Sequence, residues 1–361
     1  MTRLMIAGGA LMLLTAGAAV AQSGSVTITT YGGAFGEALS ESLVKPFAQD
    51  TGIRATMVDN SDPPAKLKAE VEAGNVSSAI YDVEQSDVIA LCDEGLIEPI
   101  DPAILQTGAD GSAAADDYLP QALHECATAI MVWSTVIAYD TTAFPDAAPA
   151  SVADFFDLEK FPGRRGIIKR PKYALEFALL GDGVAPDQVY DVLSTPEGVD
   201  RAFAKLDTIK DHVVWWEAGA QAPQLLADKE VSMTLAYNGR IFDAIVGEGK
   251  PFAFVWDGAN LDMDYWVVPR GAPDRDAAMA FIAYASNPQR QADLSKYIAY
   301  GPPRKSAADG VGTYKDGTTE MTPYLPTTPE NAEMALVNDA GFWADYGAEL
   351  TERFNRWLAG S

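Results

Sequence analysis

The feature that most constrains this chain is a strand–helix alternation that runs twice, with a Pro/Ala-rich break between the two sets. Ser25 to Thr30 alternates with period two and is β-branched, so it reads as a strand. A glycine turn, Tyr31-Gly32-Gly33-Ala34-Phe35-Gly36, leads into a helix expected from about Glu37 to Asp50, with Leu39, Leu43 and Phe47 on one face. Ile53 to Val58 is a strand. Asp62-Pro63-Pro64 caps a helix to about Ala73. Ala79 to Glu84 is a strand that runs into Gln85 and Ser86 and a helix to Cys92, which Gly95 ends. Cys126 to Tyr139 is too long for one simple strand and reads as two strand-like halves meeting at Trp133-Ser134. Asp140 to Ser151 reads as a boundary. The second set then takes strands at Gly166–Lys169, Val213–Trp216, Val231–Tyr237 and Ala253–Trp256, with helices at Pro171–Leu180 and Ala222–Asp228. Further helices are expected at Asp274–Ala285, Pro288–Tyr297 and Asn331–Leu358. Such alternation builds an α/β fold.

The first residues read as a processing segment. Met1-Thr2-Arg3 is a short positive region, Leu4 to Val20 is apolar and small, and Ala19-Val20-Ala21 is a small-x-small cleavage site. Residues 1–21 are therefore expected to be a signal peptide cut after Ala21, with the product exported to the periplasm. The apolar run is too short to make a good membrane anchor. Of 361 residues, roughly 340 remain after cleavage, which points to two lobes rather than one core.

A net charge of -25 with no basic stripe excludes nucleic acid and anionic membrane surfaces as natural partners. The acidity reads either as a device for solubility or as an attraction for a cationic ligand. In an oxidising compartment the two cysteines, Cys92 and Cys126, are either a disulfide or two buried thiols. His124 and His212 stand alone, so neither a metal site nor a cofactor is expected. Catalytic signatures do not emerge: there is no Gly-x-Ser-x-Gly elbow, no Cys/His pair at plausible spacing and no phosphate-binding loop. The expectation is a binding protein, with no catalytic residues.

Two stretches carry the candidate site. Met233 to Arg240 begins as an apolar strand and ends in Tyr237, Asn238, Gly239 and Arg240. Met263 to Pro269 places Asp264 at the mouth of a second strand. An Arg and an Asp at strand ends, flanked by Tyr237, Tyr265 and Trp266, suit a small ligand with one anionic and one cationic end. The other reading is a pair of surface charges.

Several segments, in order, resemble the periplasmic solute-binding proteins of ABC importers, in the subgroup similar to spermidine/putrescine-binding proteins. They are Tyr31-Gly-Gly-Ala-Phe35, Pro46 to Ile53, Tyr81-Asp82, Gly95 to Asp101, Trp133 to Tyr139, Phe161 to Gly166, Tyr237 to Arg240 and Tyr300 to Pro303. The resemblance implies a two-lobed fold of type II topology, with two crossover segments and the ligand in the cleft. It implies one lobe from residues 25–139 plus 262–310 and a second from 140–261 plus 311–361. It also implies a monomer that delivers a small molecule to an inner-membrane permease. It brings the helix of Cys92 beside the strand of Cys126, which supports a disulfide.

The ligand-facing positions of the family fall on Tyr31, Glu84, Ser86, Trp133, Tyr237, Asp264 and Tyr300, and Tyr173 joins them at the head of a second-lobe helix. Two departures matter. Polyamine binders resemble one another in placing acids at the head of that helix, where this chain has Lys169-Arg170-Pro171-Lys172-Tyr173 and no acid before Glu176. They carry a small neutral residue where this chain has Arg240. A diammonium ligand would meet like charge there, whereas a carboxylate would gain a charge-assisted contact. The expected ligand is therefore an ω-amino acid of the γ-aminobutyrate type. A polyamine is one alternative. A dicarboxylate or other organic acid is another, if Arg170 or Lys172 joins Arg240. The Lys/Arg run itself reads as a solvated turn or as part of the site. Ferric-ion binders of similar fold share adjacent tyrosines, and Tyr297 and Tyr300 are not adjacent.

Overall fold

Residues 24–360 are described in a computed structural model, and the expected signal peptide and its cleavage point lie outside them. One mixed sheet organises the chain. Its main strands are β1 (Ser25–Thr30), β2 (Arg54–Asp59), β3 (Ile80–Glu84), β4 (Ala127–Asp140), β5 (Arg165–Ile168), β6 (Val213–Trp216), β7 (Met233–Tyr237) and β8 (Phe252–Val267), in the spatial order β2-β1-β3-β8-β4-β7-β5-β6. Within the trio β2-β1-β3 the strands are parallel, and so are those of β7-β5-β6. The long antiparallel pair β4/β8 joins the trios: β3 pairs with residues 264–267 of β8, and β7 with residues 135–139 of β4.

The helices follow their strands. They include α1 (Gly33–Leu39), which continues through a π turn at Ser40–Val44 into α2 (Lys45–Thr51), α3 (Pro63–Glu72), α4 (Gln85–Asp93), α5 (Pro171–Gly181), α6 (Gln221–Ala227), α7 (Asn238–Phe242), α8 (Arg275–Ala285), α9 (Pro288–Leu294) and α10 (Ala340–Leu358). The helix after β1 starts earlier than expected, because Gly32 and Gly33 adopt left-handed backbone (φ 65° and 64°) and turn the chain at once. Among the described residues, no helix is long and apolar enough to cross a membrane.

Three further expectations change. The supposed break at Trp133-Ser134 does not occur: β4 is one strand of 14 residues, all buried. Neighbours on both sides satisfy its ladder, and shifts of register between Ala129 and Met131 and between Thr135 and Ile137 absorb the bend. The segments around Ala253–Trp256 and Asp264 likewise belong to one 16-residue strand, β8. The final helix does not begin at Asn331. That residue is buried and its side-chain amide donates to the Leu325 and Pro323 carbonyls. Leu336–Val337 then pairs with β8, and the Asp339 carboxylate caps the Phe342 N–H to start α10. Cys92, on α4, and Cys126, just before β4, form a disulfide with Cα atoms 6.1 Å apart, within the usual range.

Candidate functional site

In each trio the carboxyl ends of the parallel strands point at the same crevice, the usual place for a ligand in such sheets. There Tyr31 follows β1, Glu84 ends β3, Arg170 lies two residues beyond β5, Gly219 three beyond β6, and Tyr237 ends β7. The crevice is a cavity of about 550 Å³. Of the nine residues expected at the site, seven line it: Tyr31, Glu84, Trp133, Tyr237, Arg240, Asp264 and Tyr300. Tyr173 and Ser86 stand behind the wall, Tyr173 edge-on to Trp133 and Ser86 within reach of the Lys172 ammonium (3.3 Å).

The aromatic groups form a connected frame. The Tyr237 ring lies edge-on to Trp133 at 4.8 Å and to Trp216 at 5.7 Å, and Tyr300 packs on Phe35 at 5.6 Å. Such contacts leave apolar faces that suit an alkyl chain or an ammonium. The Asn-Gly between Tyr237 and Arg240 serves this frame. The Asn238 side chain accepts from the Ser134 N–H at 3.1 Å and donates to the Ala299 carbonyl at 2.6 Å, stapling α7 to β4 and to the segment before Tyr300. A Cβ on Gly239 would come within 2.4 Å of the Tyr300 ring, so only glycine lets α7 approach it.

The charges divide into a compensated and an uncompensated set. Glu84 is buried and accepts from Arg170 (2.7 Å) and from Lys172 (2.9 Å). Burial pushes its carboxyl group up, but the two cations outweigh burial and hold it at about 2. The same Lys172 ammonium pairs with Asp262 at 2.7 Å, and the Tyr173 hydroxyl donates to Asp262 at 2.9 Å. Thus the Lys/Arg run is not a solvated turn: Arg170 lines the cavity and Lys172 is buried against two carboxylates. The cause is local. Lys172 has ψ 132° and Tyr173 a left-handed φ of 72°, so the head of α5 is broken and turned inward.

Arg240 and Asp264 are different. Arg240 is 7% exposed, its Nε has no hydrogen-bond partner, and among the described residues no carboxylate lies within ion-pair distance. Asp264 is buried and accepts one hydrogen bond, from the Trp133 indole at 2.8 Å. Burial, and then the negative charges of Asp82 and Glu84, raise its carboxyl group well above the usual carboxylate range. Asp82 lies two residues before Glu84 on the same face of β3, fully buried, with neither carboxylate oxygen partnered, and burial raises it too. Asp87, on the cavity wall, is pushed up to about 7 by burial and then by Glu84. Asp82 and Asp87 had no role assigned from the sequence, and Arg170 had one only as a conditional partner of Arg240 for a dicarboxylate. The period-two spacing of Asp82 and Glu84 was the available signal for one of them.

The fold and this cleft together define a solute receptor. Residues 42–327 match the bacterial extracellular solute-binding protein family, and the chain belongs to it. It is 45% identical over 347 residues to the gamma-aminobutyric acid-binding protein of Pseudomonas aeruginosa, covering 96% of this chain and 94% of that one. Among solved structures it is similar to the periplasmic binding protein MotA of A. tumefaciens B6 in complex with glucopine. There the TM-score is 0.83 at 33% identity, over 92% of this chain and 99% of that one. It is also similar to a GABA receptor, with a TM-score of 0.78 at 31% identity over 92% and 97% of the two chains.

Proposed function

We propose that this protein captures an ω-amino acid of the γ-aminobutyrate type in the cleft and delivers it to an inner-membrane ABC permease. Arg240 receives the carboxylate, Asp264 the ammonium, and Trp133, Tyr237, Tyr300 and Tyr31 wall the chain between them. The observation that carries this reading is the unpaired, buried Arg240 on the same cavity as Asp264. A buried cation without a protein partner is costly unless a ligand supplies one. The 45% identity to a protein named for γ-aminobutyrate supports the ligand class. A dicarboxylate reading needs Arg170 as a second anion receptor, and Arg170 is held by Glu84. Glu84, Ser86 and Tyr173 act in this reading by fixing the cations of the wall.

The same proposal places residues 25–139 with 262–310 in one lobe and 140–261 with 311–361 in the other, supported by the partition of strand partners. It places the mature monomer in the periplasm, beginning at Gln22. N-terminal sequencing of the exported product tests that start point. Isothermal calorimetry with γ-aminobutyrate, putrescine and succinate tests the ligand. γ-Aminobutyrate should bind with an affinity at least about tenfold above the other two, a difference of roughly 1.4 kcal/mol. Tighter binding of putrescine or succinate would refute the assignment.

A further inference from the structure

The carboxylates around the cleft outnumber the places where a ligand ammonium can settle. Glu84 and Asp264 stand directly opposite each other in the β3/β8 register, so their side chains share one face. Both line the cavity. Left to themselves they would form two adjacent acidic sites, suited to a ligand with two ammonium groups. One of them is already filled from within. The Lys172 ammonium lies 2.9 Å from Glu84 and 2.7 Å from Asp262, is 6% exposed, and is delivered there by the inward break at the head of α5. Arg170 takes the other Glu84 oxygen.

We propose that Lys172 is a specificity-determining residue, an internal ammonium that occupies the place a second ligand cation would need and so confines the cleft to ligands with one cationic end. This rests on the reading above that Asp264 receives an ammonium. Rejection of a dication then has two sources: the acid it would use is neutralised, and the Arg170 guanidinium beside that acid repels it. The side chain itself does not line the cavity. It acts on the ligand through Glu84, and its removal leaves room for an ammonium in its place.

The test is calorimetry of 1,4-diaminobutane and γ-aminobutyrate against the native protein, Lys172→Ala and Lys172→Ala/Glu84→Gln. The ratio of diamine to γ-aminobutyrate affinity should rise by about tenfold or more in Lys172→Ala. The rise should disappear in the double variant, which no longer offers the freed acid. An unchanged ratio in folded Lys172→Ala overturns the proposal, and so does a gain that survives Glu84→Gln. If Lys172→Ala does not fold, Lys172→Ala/Asp262→Asn keeps the net charge of the cluster. It should still bind the diamine better than the native protein, because Glu84 has lost one of its two cations, and failure to do so overturns the proposal equally. A native protein that binds no ω-amino acid defeats the proposed function, whereas the diamine affinities of the variants still decide the role of Lys172.

Discussion

Replacing Arg240 by alanine separates a ligand-receiving charge from a structural one. Among the described residues its guanidinium has no carboxylate partner, and its Nε makes no hydrogen bond. Its loss therefore removes no ion pair from the ligand-free protein, and the melting temperature should hold or rise. A bound carboxylate, by contrast, loses its partner in a desolvated place. Truncation of that kind costs about 2–5 kcal/mol, which at roughly 1.4 kcal/mol per decade is a loss of about 30- to 4,000-fold for γ-aminobutyrate. Putrescine binding should be unharmed or improved, since a repulsive charge has gone. Gly219→Ala probes the same group from outside: its Cβ would stand 2.8 Å from the Arg240 Nε and 2.6 Å from the Tyr237 ring, at a backbone conformation that alanine accepts. It should weaken γ-aminobutyrate while leaving the fold intact. Calorimetry and ligand-dependent melting read both variants. If folded Arg240→Ala binds γ-aminobutyrate as the native protein does, or if native protein binds putrescine tightly and Arg240→Ala abolishes that, the charge assignment is wrong.

Three other outcomes are expected. Asp264→Asn should weaken ligands bearing an ammonium by at least about 30-fold and spare simple carboxylates; equal losses for succinate and γ-aminobutyrate in calorimetry would contradict this. Without ligand, stability should fall as pH rises from about 4 to 7: Asp87 and Glu176 are both raised to about 7, chiefly by burial, so the stability they contribute is fully present below their unfolded values near 4 and is lost by the time pH passes their folded values. Glu176→Gln, which keeps an acceptor for the Trp343 indole, should flatten that slope in thermal melts, and a slope that stays unchanged counts against it. The Cys92–Cys126 bridge, closing a separation of 34 residues, should stabilise by about 3–4 kcal/mol on loop-closure grounds; urea unfolding of Cys92→Ala/Cys126→Ala measures it, and no loss of stability would show that the unfolded chain is not what the bridge constrains.

How much of this was legible in the sequence depended on whether a residue's partner was local. Ser25–Thr30 and Val213–Trp216 were readable to the residue, because β-branched and aromatic runs bounded by turn residues need only their own pattern. β8 was not, because Asp257, Gly258, Asn260 and Asp262 interrupt its apolar pattern. β4 pairs with β8 on both sides of this stretch, at residues 252–255 and 260–267, and Leu336–Val337 pairs with Asn260 and Leu261, so the chain stays extended through the unpaired residues 256–259 between them. The start of α10 depended in the same way on Leu336–Val337 finding β8. At the site, Tyr237, Arg240 and Asp264 announced themselves by standing where apolar strands change character, and Trp133 came from the family resemblance alone. Arg170 and Lys172 could be seen only as a cationic run. What makes them part of the cleft is Glu84, 86 and 88 residues away in sequence, and composition carries no information about such a partner.

The placement of the two charge sets bears on how the cleft works. Arg170, Lys172, Tyr237 and Arg240 come from the β7-β5-β6 side, whereas Glu84 and Asp264 belong to β3 and the adjoining end of β8. The ion pairs of Glu84 with Arg170 and Lys172 therefore tie one side to the other without a ligand. What they leave over, among the described residues, is the unmatched Arg240 on the first side and, on the second, acids with a raised affinity for a proton: Asp264 together with Asp82 and Asp87. A zwitterion with separated ends satisfies both at once and displaces the proton that burial favours on Asp264. A simple carboxylate or a simple amine satisfies one side only and gains nothing from drawing the two together. Trp133 links these contacts to the strands that run through both halves: its indole donates to Asp264, and its ring meets Tyr237 from the opposite side, two residues before the register shift that begins at Thr135. The place proposed for the ligand ammonium and the relative position of the two halves thus rest on the same pair of strands, β4 and β8, while Arg240 stands beside them on α7.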